Sequence, residues 1–152
     1  MAPVDVNVEI VIDRPRGEVA SYSADPDNAT VWYVNIKSVQ WKTSRPLAVG
    51  SQFAFTATFL GRELTYTYEV VDFVPDRRFV MRTAEGLFPM ETMYEWDDIG
   101  AESTRMRLRN RGEPSGFTGI AAPMMAVAMK RANTKDLKRL KEVLESQANG
   151  SS

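Results

Sequence analysis

The stretch Glu91-Thr-Met-Tyr-Glu-Trp-Asp-Asp-Ile-Gly-Ala-Glu-Ser-Thr-Arg-Met-Arg-Leu-Arg-Asn-Arg-Gly112 decides the fold. Before Gly100, Thr92, Tyr94 and Trp96 alternate with Glu91 and Glu95; after it, Met106 and Leu108 alternate with Arg105, Arg107, Arg109 and Arg111. Alternation with a period of two marks a strand buried on one face. Two such runs, joined by a short turn with no helix between them, are antiparallel neighbours. The glutamates and arginines share the outer face, where cross-strand ion pairs account for them better than an RNA-binding stripe does. A turn from Asp97 to Ser103 would set Tyr94 opposite Met106, Glu95 opposite Arg105 and Glu91 opposite Arg109. Asp97 and Asp98 beside Gly100 fit a turn, and without further ordered oxygen ligands no metal is expected there.

Upstream, similar strands are predicted near 37–44, 51–60, 63–73 and 78–84, with Gly61 and Pro75-Asp76 in the connections. Phe53, Phe55, Ala57 and Phe59 share one face; Leu64, Tyr66, Tyr68 and Val70 join it, as do Phe79, Met81 and Thr83. At the start, Val4, Val6, Val8, Ile10 and Ile12 alternate as a first strand. Asp13 and Pro15 then supply an N-cap and a helix start, and Asp25-Pro26 divides two short helices, about 15–24 and 26–33. Beyond the break from Gly112 to Gly116 the period becomes helical: Ile120, Met124, Val127, Leu137, Leu140 and Leu144 predict a helix over 117–147, with a disordered tail at 148–152. Strand, two short helices, six strands and one long helix exclude a parallel βαβ sheet. The prediction is one α+β domain over residues 1–147, a curved seven-stranded antiparallel sheet packed around the long C-terminal helix.

Composition narrows the chemistry. The 152 residues, 43% of them hydrophobic, suffice for one core. Cys and His are both absent. That removes disulfides, thiolate nucleophiles, Ser-His-Asp catalysis and His-held metals. A net charge of -1 gives no electrostatic footprint for nucleic acid. The glycines stand singly at turns, so no phosphate-cradling loop is present and no cofactor is expected. No basic segment followed by an apolar run opens the chain, which points to a cytoplasmic location. The longest apolar stretch, Gly116 to Met129, is too short to span a bilayer and contains Pro123, so no stable membrane insertion is expected. The cations after it, from Lys130 to Lys141, read as the solvated face of a core helix.

Asp25-Pro26-Asp27-Asn28 with Trp32-Tyr33 and Ile36, Tyr68-Glu69-Val70-Val71 with Pro75-Asp76-Arg77-Arg78-Phe79, and Leu140-Lys141 with Leu144-Glu145 resemble segments of the SRPBCC superfamily. That superfamily includes START-like, Bet v 1-like and polyketide cyclase/dehydrase-like proteins. The similarity runs over roughly residues 5 to 147. It implies the helix-grip fold and a deep cavity between sheet and C-terminal helix for lipids, polyketides or related apolar molecules.

The expected walls are Phe55, Tyr66, Tyr68, Met81, Tyr94, Met124 and Ala128, with Trp32 near the mouth. Bulky residues on the sheet would face small ones on the helix, Ala121, Ala122, Ala126 and Ala128, an arrangement that can interdigitate into a solid core or leave a gap; the resemblance implies a gap, and pockets for small ligands run to roughly 300 to 1,000 Å³. Each has a plainer reading: Trp32 seals the sheet edge, the tyrosines are structural, and the methionines fill gaps. The first function expected is binding or transport of a hydrophobic small molecule. The alternative is a polyketide cyclase/aromatase- or dehydratase-like enzyme, which without His or Cys must use inward Tyr, Asp, Glu or Arg. Strand parity puts almost every carboxylate and arginine outside, which favours binding, with Glu63, Glu85 and Glu113 as possible exceptions. A third reading, recognition of an apolar segment of a protein partner, would need a shallower, more open cavity.

Overall fold

The valines and isoleucines at alternate positions near the start build β1 (Val4–Ile12), which pairs antiparallel with the last strand rather than with its neighbour in sequence. A computed structural model describes residues 4–59, 61–85, 89–113 and 122–150. Three short helical turns follow β1: α1 (Arg16–Ala24), a 3-10 turn over Pro26–Asn28, and α2 (Ala29–Trp32). Asp25 caps the 3-10 turn, its carboxylate accepting from the Asp27 amide at 3.0 Å. Asp13, expected to cap α1, instead accepts from the Ser103 hydroxyl, and Pro15 occupies the cap position.

Six strands then run as a meander: β2 (Ile36–Trp41), β3 (Gln52–Phe59), β4 (Arg62–Val74), β5 (Arg78–Glu85), β6 (Met90–Gly100) and β7 (Ser103–Gly112). The sheet order is β1-β7-β6-β5-β4-β3-β2, all antiparallel. β4 carries irregularities between Thr67 and Tyr68 and between Val70 and Asp72. Such bulges bend a strand and raise its twist, which curls this thirteen-residue strand around the interior. Gly61, at φ +76, turns the chain between β3 and β4.

Inside-outside parity follows the sequence. Met90, Thr92, Tyr94 and Trp96 of β6 and Thr104, Met106, Leu108 and Asn110 of β7 are buried. Register does not: Tyr94 pairs with Leu108, Trp96 with Met106, Glu95 with Arg107 and Glu91 with Arg111. The expected pairing is two residues out, because the strands run on to Gly100 and Ser103 with a bulge near Ile99, leaving only Ala101 and Glu102 as the loop. A slip of two conserves facing, and so parity alone could not expose it. On the outer face Arg109 grips Asp5 of β1 through two bonds of 2.9 and 2.6 Å. Glu91 receives Arg111 at 2.7 Å and Arg82 at 2.6 Å.

α3 (Ala122–Gly150) lies across the concave face, packed chiefly along β1 and α2. It extends beyond the expected end at 147, while the expected first turns at 117–121, Ser151 and Ser152 lie outside the described residues. Met125, Met129, Leu137, Leu140 and Leu144 form its buried stripe. Lys141 donates to the Val11 carbonyl at 2.9 Å, and the Asp13 amide donates to Glu145 at 2.9 Å, fastening helix to strand.

Candidate functional site

Between α3 and strands β2 to β7 lies a cavity of about 140 Å³. Phe55 and Ala57 of β3, Tyr66 and Tyr68 of β4, Met81 of β5 and Met90 of β6 make its apolar sheet wall, while Met129 and Ala132 of α3 face them. It is smaller than the gap expected from sequence, and its aromatic wall is closely packed: Phe55 and Tyr68 centroids lie 5.8 Å apart, Tyr66 and Tyr68 6.1 Å. Volume on this scale still has a use, since a dry cavity of roughly 150 Å³ accepts one benzene.

Of the expected site residues, the structure brings Phe55, Tyr66, Tyr68 and Met81 to one wall. It sends the others elsewhere. Met124 is 65% exposed. At 100° per residue it stands about 220° around the helix from Leu137, thirteen positions on, so the stripe begun at Ile120 and Met124 falls out of phase. Met125 and Met129 carry the inner line instead. Ala128 is half-buried and is not among the residues lining the cavity; Ala132, one turn on, holds the place expected for it. Trp32 is not at a mouth: it is 0% exposed, tucked 4.1 Å from Tyr33 and 5.7 Å from Tyr94 between centroids. The plainer reading of Trp32, a sealing residue, is the one its position fits. Tyr94 stands behind the wall, hydrogen-bonded through its hydroxyl to that of Tyr33, which lines the cavity.

The polar equipment is concentrated at few points. Thr92 donates to Asn110 at 2.5 Å on the floor of the sheet. On α3, Asn133 and Asp136 sit one turn apart, 5% and 3% exposed, on the cavity wall. Asp136 accepts from the Val34 amide at 2.9 Å. The Asn133 Nδ2 and Thr58 Oγ1 atoms, both of residues that line the cavity, are buried without a partner among the described residues. An unmatched buried donor costs roughly 1 to 3 kcal/mol, so these atoms favour an occupant that supplies acceptors.

Burial dictates the titration of the site. It pushes Asp136 up to about 7, the Val34 amide only partly opposing it. It likewise raises Tyr33, Tyr66 and Tyr94, and takes Tyr68 up to about 12. The tyrosines therefore remain neutral hydrogen-bonding groups near pH 7, while Asp136 is the group in the cavity able to exchange a proton there. Asp136 was readable as a carboxylate on the buried stripe: it precedes Leu140 by four positions and follows Met129 by seven. Attention to strand parity, where the acids do point outward, passes over it. Asn133 carries the same signal.

Among the described residues no acidic cluster could hold a metal ion, and no helix is long and apolar enough to cross a membrane. A second cleft, of about 440 Å³, opens on the far side of α1 between Trp41, Phe73 and Asp76. It exceeds the first in volume, but Arg45 spans it, paired with Asp27 at 2.7 Å and stacked 4.6 Å over Trp41. The mainly apolar walls and the unmatched Asn133 and Thr58 atoms belong to the smaller cavity.

A curled antiparallel sheet gripping a C-terminal helix, with a cavity between them, is the helix-grip architecture. The chain belongs to the family described as Polyketide cyclase / dehydrase and lipid transport, which it matches over residues 3–145, within the SRPBCC superfamily. No curated protein matches its sequence closely enough to count as a relative. Among solved structures it is similar to a protein of Thermus thermophilus, with a TM-score of 0.80 at 20% identity, covering 97% of this chain and 99% of that one. It is also similar to the Zhui aromatase/cyclase of Streptomyces sp. R1128, with a TM-score of 0.79 at 17% identity over 97% and 96%. A START superfamily protein of Mycobacterium smegmatis gives 0.72 at 17% over 97% and 99%. At these identities the likeness is one of fold.

Proposed function

We propose that this protein binds a hydrophobic small molecule in the cavity between its sheet and α3. The observation that carries this reading is the combination of apolar walls with the unpaired Asn133 Nδ2 and Thr58 Oγ1, a lining that an occupant would complete. The family's description, which includes lipid transport, agrees with it. Toluene, titrated while backbone amide resonances are followed by NMR, should shift residues around Phe55, Tyr68 and Met129. In Ala132→Phe, a ring replaces the small residue on the helix wall and should weaken toluene binding at least tenfold with the fold retained. Equal binding by that variant would place the ligand elsewhere and end the proposal.

A second reading has one specific observation behind it. Asp136, pushed to about 7 by burial, sits beside the hydroxyls of Tyr33 and Tyr94 in the kind of water-poor pocket where proton transfer is steered. A cyclase/aromatase- or dehydratase-like reaction would use Asp136 as the proton carrier and the neutral tyrosines to orient a carbonyl. The structural likeness to an aromatase/cyclase makes such substrates the first to assay. Turnover that survives Asp136→Asn would remove this reading and leave binding alone.

A further inference from the structure

We infer that the cavity is built for a neutral molecule of about single-ring size whose one polar group both accepts and donates hydrogen bonds, a hydroxyl or a carboxamide, seated against Asn133 and Asp136. This rests on the binding reading above and adds the chemistry of the occupant. Size comes first. A volume of about 140 Å³ matches one ring with a substituent, given that roughly 150 Å³ takes one benzene.

Polarity comes next. Asn133 offers an unpaired amide donor from a nearly fully buried side chain, so the occupant must accept a hydrogen bond there. Asp136 already accepts from the Val34 amide, and among the described residues its carboxyl has no other hydrogen-bond partner. Its free oxygen accepts when ionised and donates when protonated, and a hydroxyl or carboxamide satisfies either state. A carboxylate ligand would meet the Asp136 charge with no cation among the described residues of the cavity wall to offset it. An ammonium ligand has no acceptor for Asn133. A carboxylate is thereby disfavoured, and a cation that paired with Asp136 would still leave the Asn133 donor unmet, so a neutral group that serves both residues fits best.

The test is a ligand series of nearly constant shape measured by calorimetry on the intact protein: toluene, phenol, benzamide, benzoate and benzylamine. Phenol should bind at least fivefold tighter than toluene, and benzamide at least tenfold tighter than benzoate or benzylamine. Asn133→Leu, close in size but without the donor, should abolish or reverse the preference of phenol over toluene while toluene still binds. Because the wild-type series needs no variant, a misfolded Asn133→Leu leaves the test intact. Toluene binding as tightly as phenol would show that water satisfies Asn133 and would overturn this inference alone. Failure of every ligand in the series to bind would overturn the cavity reading, and this inference with it.

Discussion

The two ends of the interior share one sheet and differ in how the facing elements fill them. Toward β1 and α1, Trp96, Phe79, Phe53, Ile12 and Leu144 are fully buried, and Trp96 donates to the Ser23 hydroxyl at 3.1 Å. Phe79 stacks on Tyr94 at 5.5 Å, and Tyr94 in turn meets Trp96 edge-on at 6.1 Å. Toward α3's first described turns, the sheet presents Tyr66, Tyr68 and Met90, but the helix answers with Ala132 and Asn133, and a cavity persists. Large rings against inserted helical side chains make a solid core; the same rings against an alanine leave room. One end is packed solid, and the other keeps the space in which we propose that a ligand is held.

Three substitutions probe that division, beginning with the largest effect. Trp96→Ala at the packed end should cost about 3 to 5 kcal/mol by urea denaturation. Met129→Ala, at a smaller side chain that borders the cavity, should cost less, about 2 kcal/mol, the low end of the range for a buried Met→Ala. Equal losses would erase the distinction between the ends.

Asp136→Asn tests the hollow end from the other side. The folded pKa, about 7, lies above the usual carboxylate value of 3.8, so the folded state holds its proton more tightly than the unfolded chain. Stability is then intact below the unfolded pKa and declines as pH rises towards 7, with ∂ΔG/∂pH negative across that window. A shift of this size corresponds to about 4 kcal/mol as an upper bound. Asparagine keeps the acceptor for the Val34 amide and removes the charge. Its stabilisation relative to wild type should therefore be about 2 kcal/mol greater at pH 8 than at pH 5. A pH-independent difference would mean that Asp136 titrates normally.

The smallest effect is expected outside both ends. Arg109→Gln removes an exposed pair with Asp5, and the urea midpoint should move by less than about 1 kcal/mol equivalent. A larger loss would make the outer arginine ladder a third contributor to stability.

The fold was legible because its signals are local and redundant: the alternation through β6 and β7, the turn residues and the switch of period at α3 each fix an element without the others. Register was not, since the observed pairing of β6 with β7 lies two residues from the expected one, and a slip of two leaves every facing unchanged. The candidate site was legible on the sheet wall, where Phe55, Tyr66, Tyr68 and Met81 follow strand parity. On the helix wall it was legible but misread: Met124, thirteen positions before Leu137, is out of phase with the buried stripe, and the attention given to strand parity passed over Asn133 and Asp136. Trp32 failed for another reason: adjacent aromatics at the end of α2 give no indication of which ring turns inward, and packing against Tyr94 chose Trp32.

The pairing of β1 with β7 also orders events in time. Val4–Ile12 leaves the ribosome before the rest of the sheet but has no partner until residues 103–112 follow, so the strand waits through the synthesis of some ninety residues. Contacts so distant in sequence slow folding, and a waiting strand rich in valine and isoleucine is the kind that joins other nascent chains. Asp5, Asn7 and Glu9, set on its outer face, act during that interval as charged or polar interruptions that a stack of identical strands would have to bring together. The residues that later pair with the arginines of β7 thus have an earlier task as guardians of an unfinished chain.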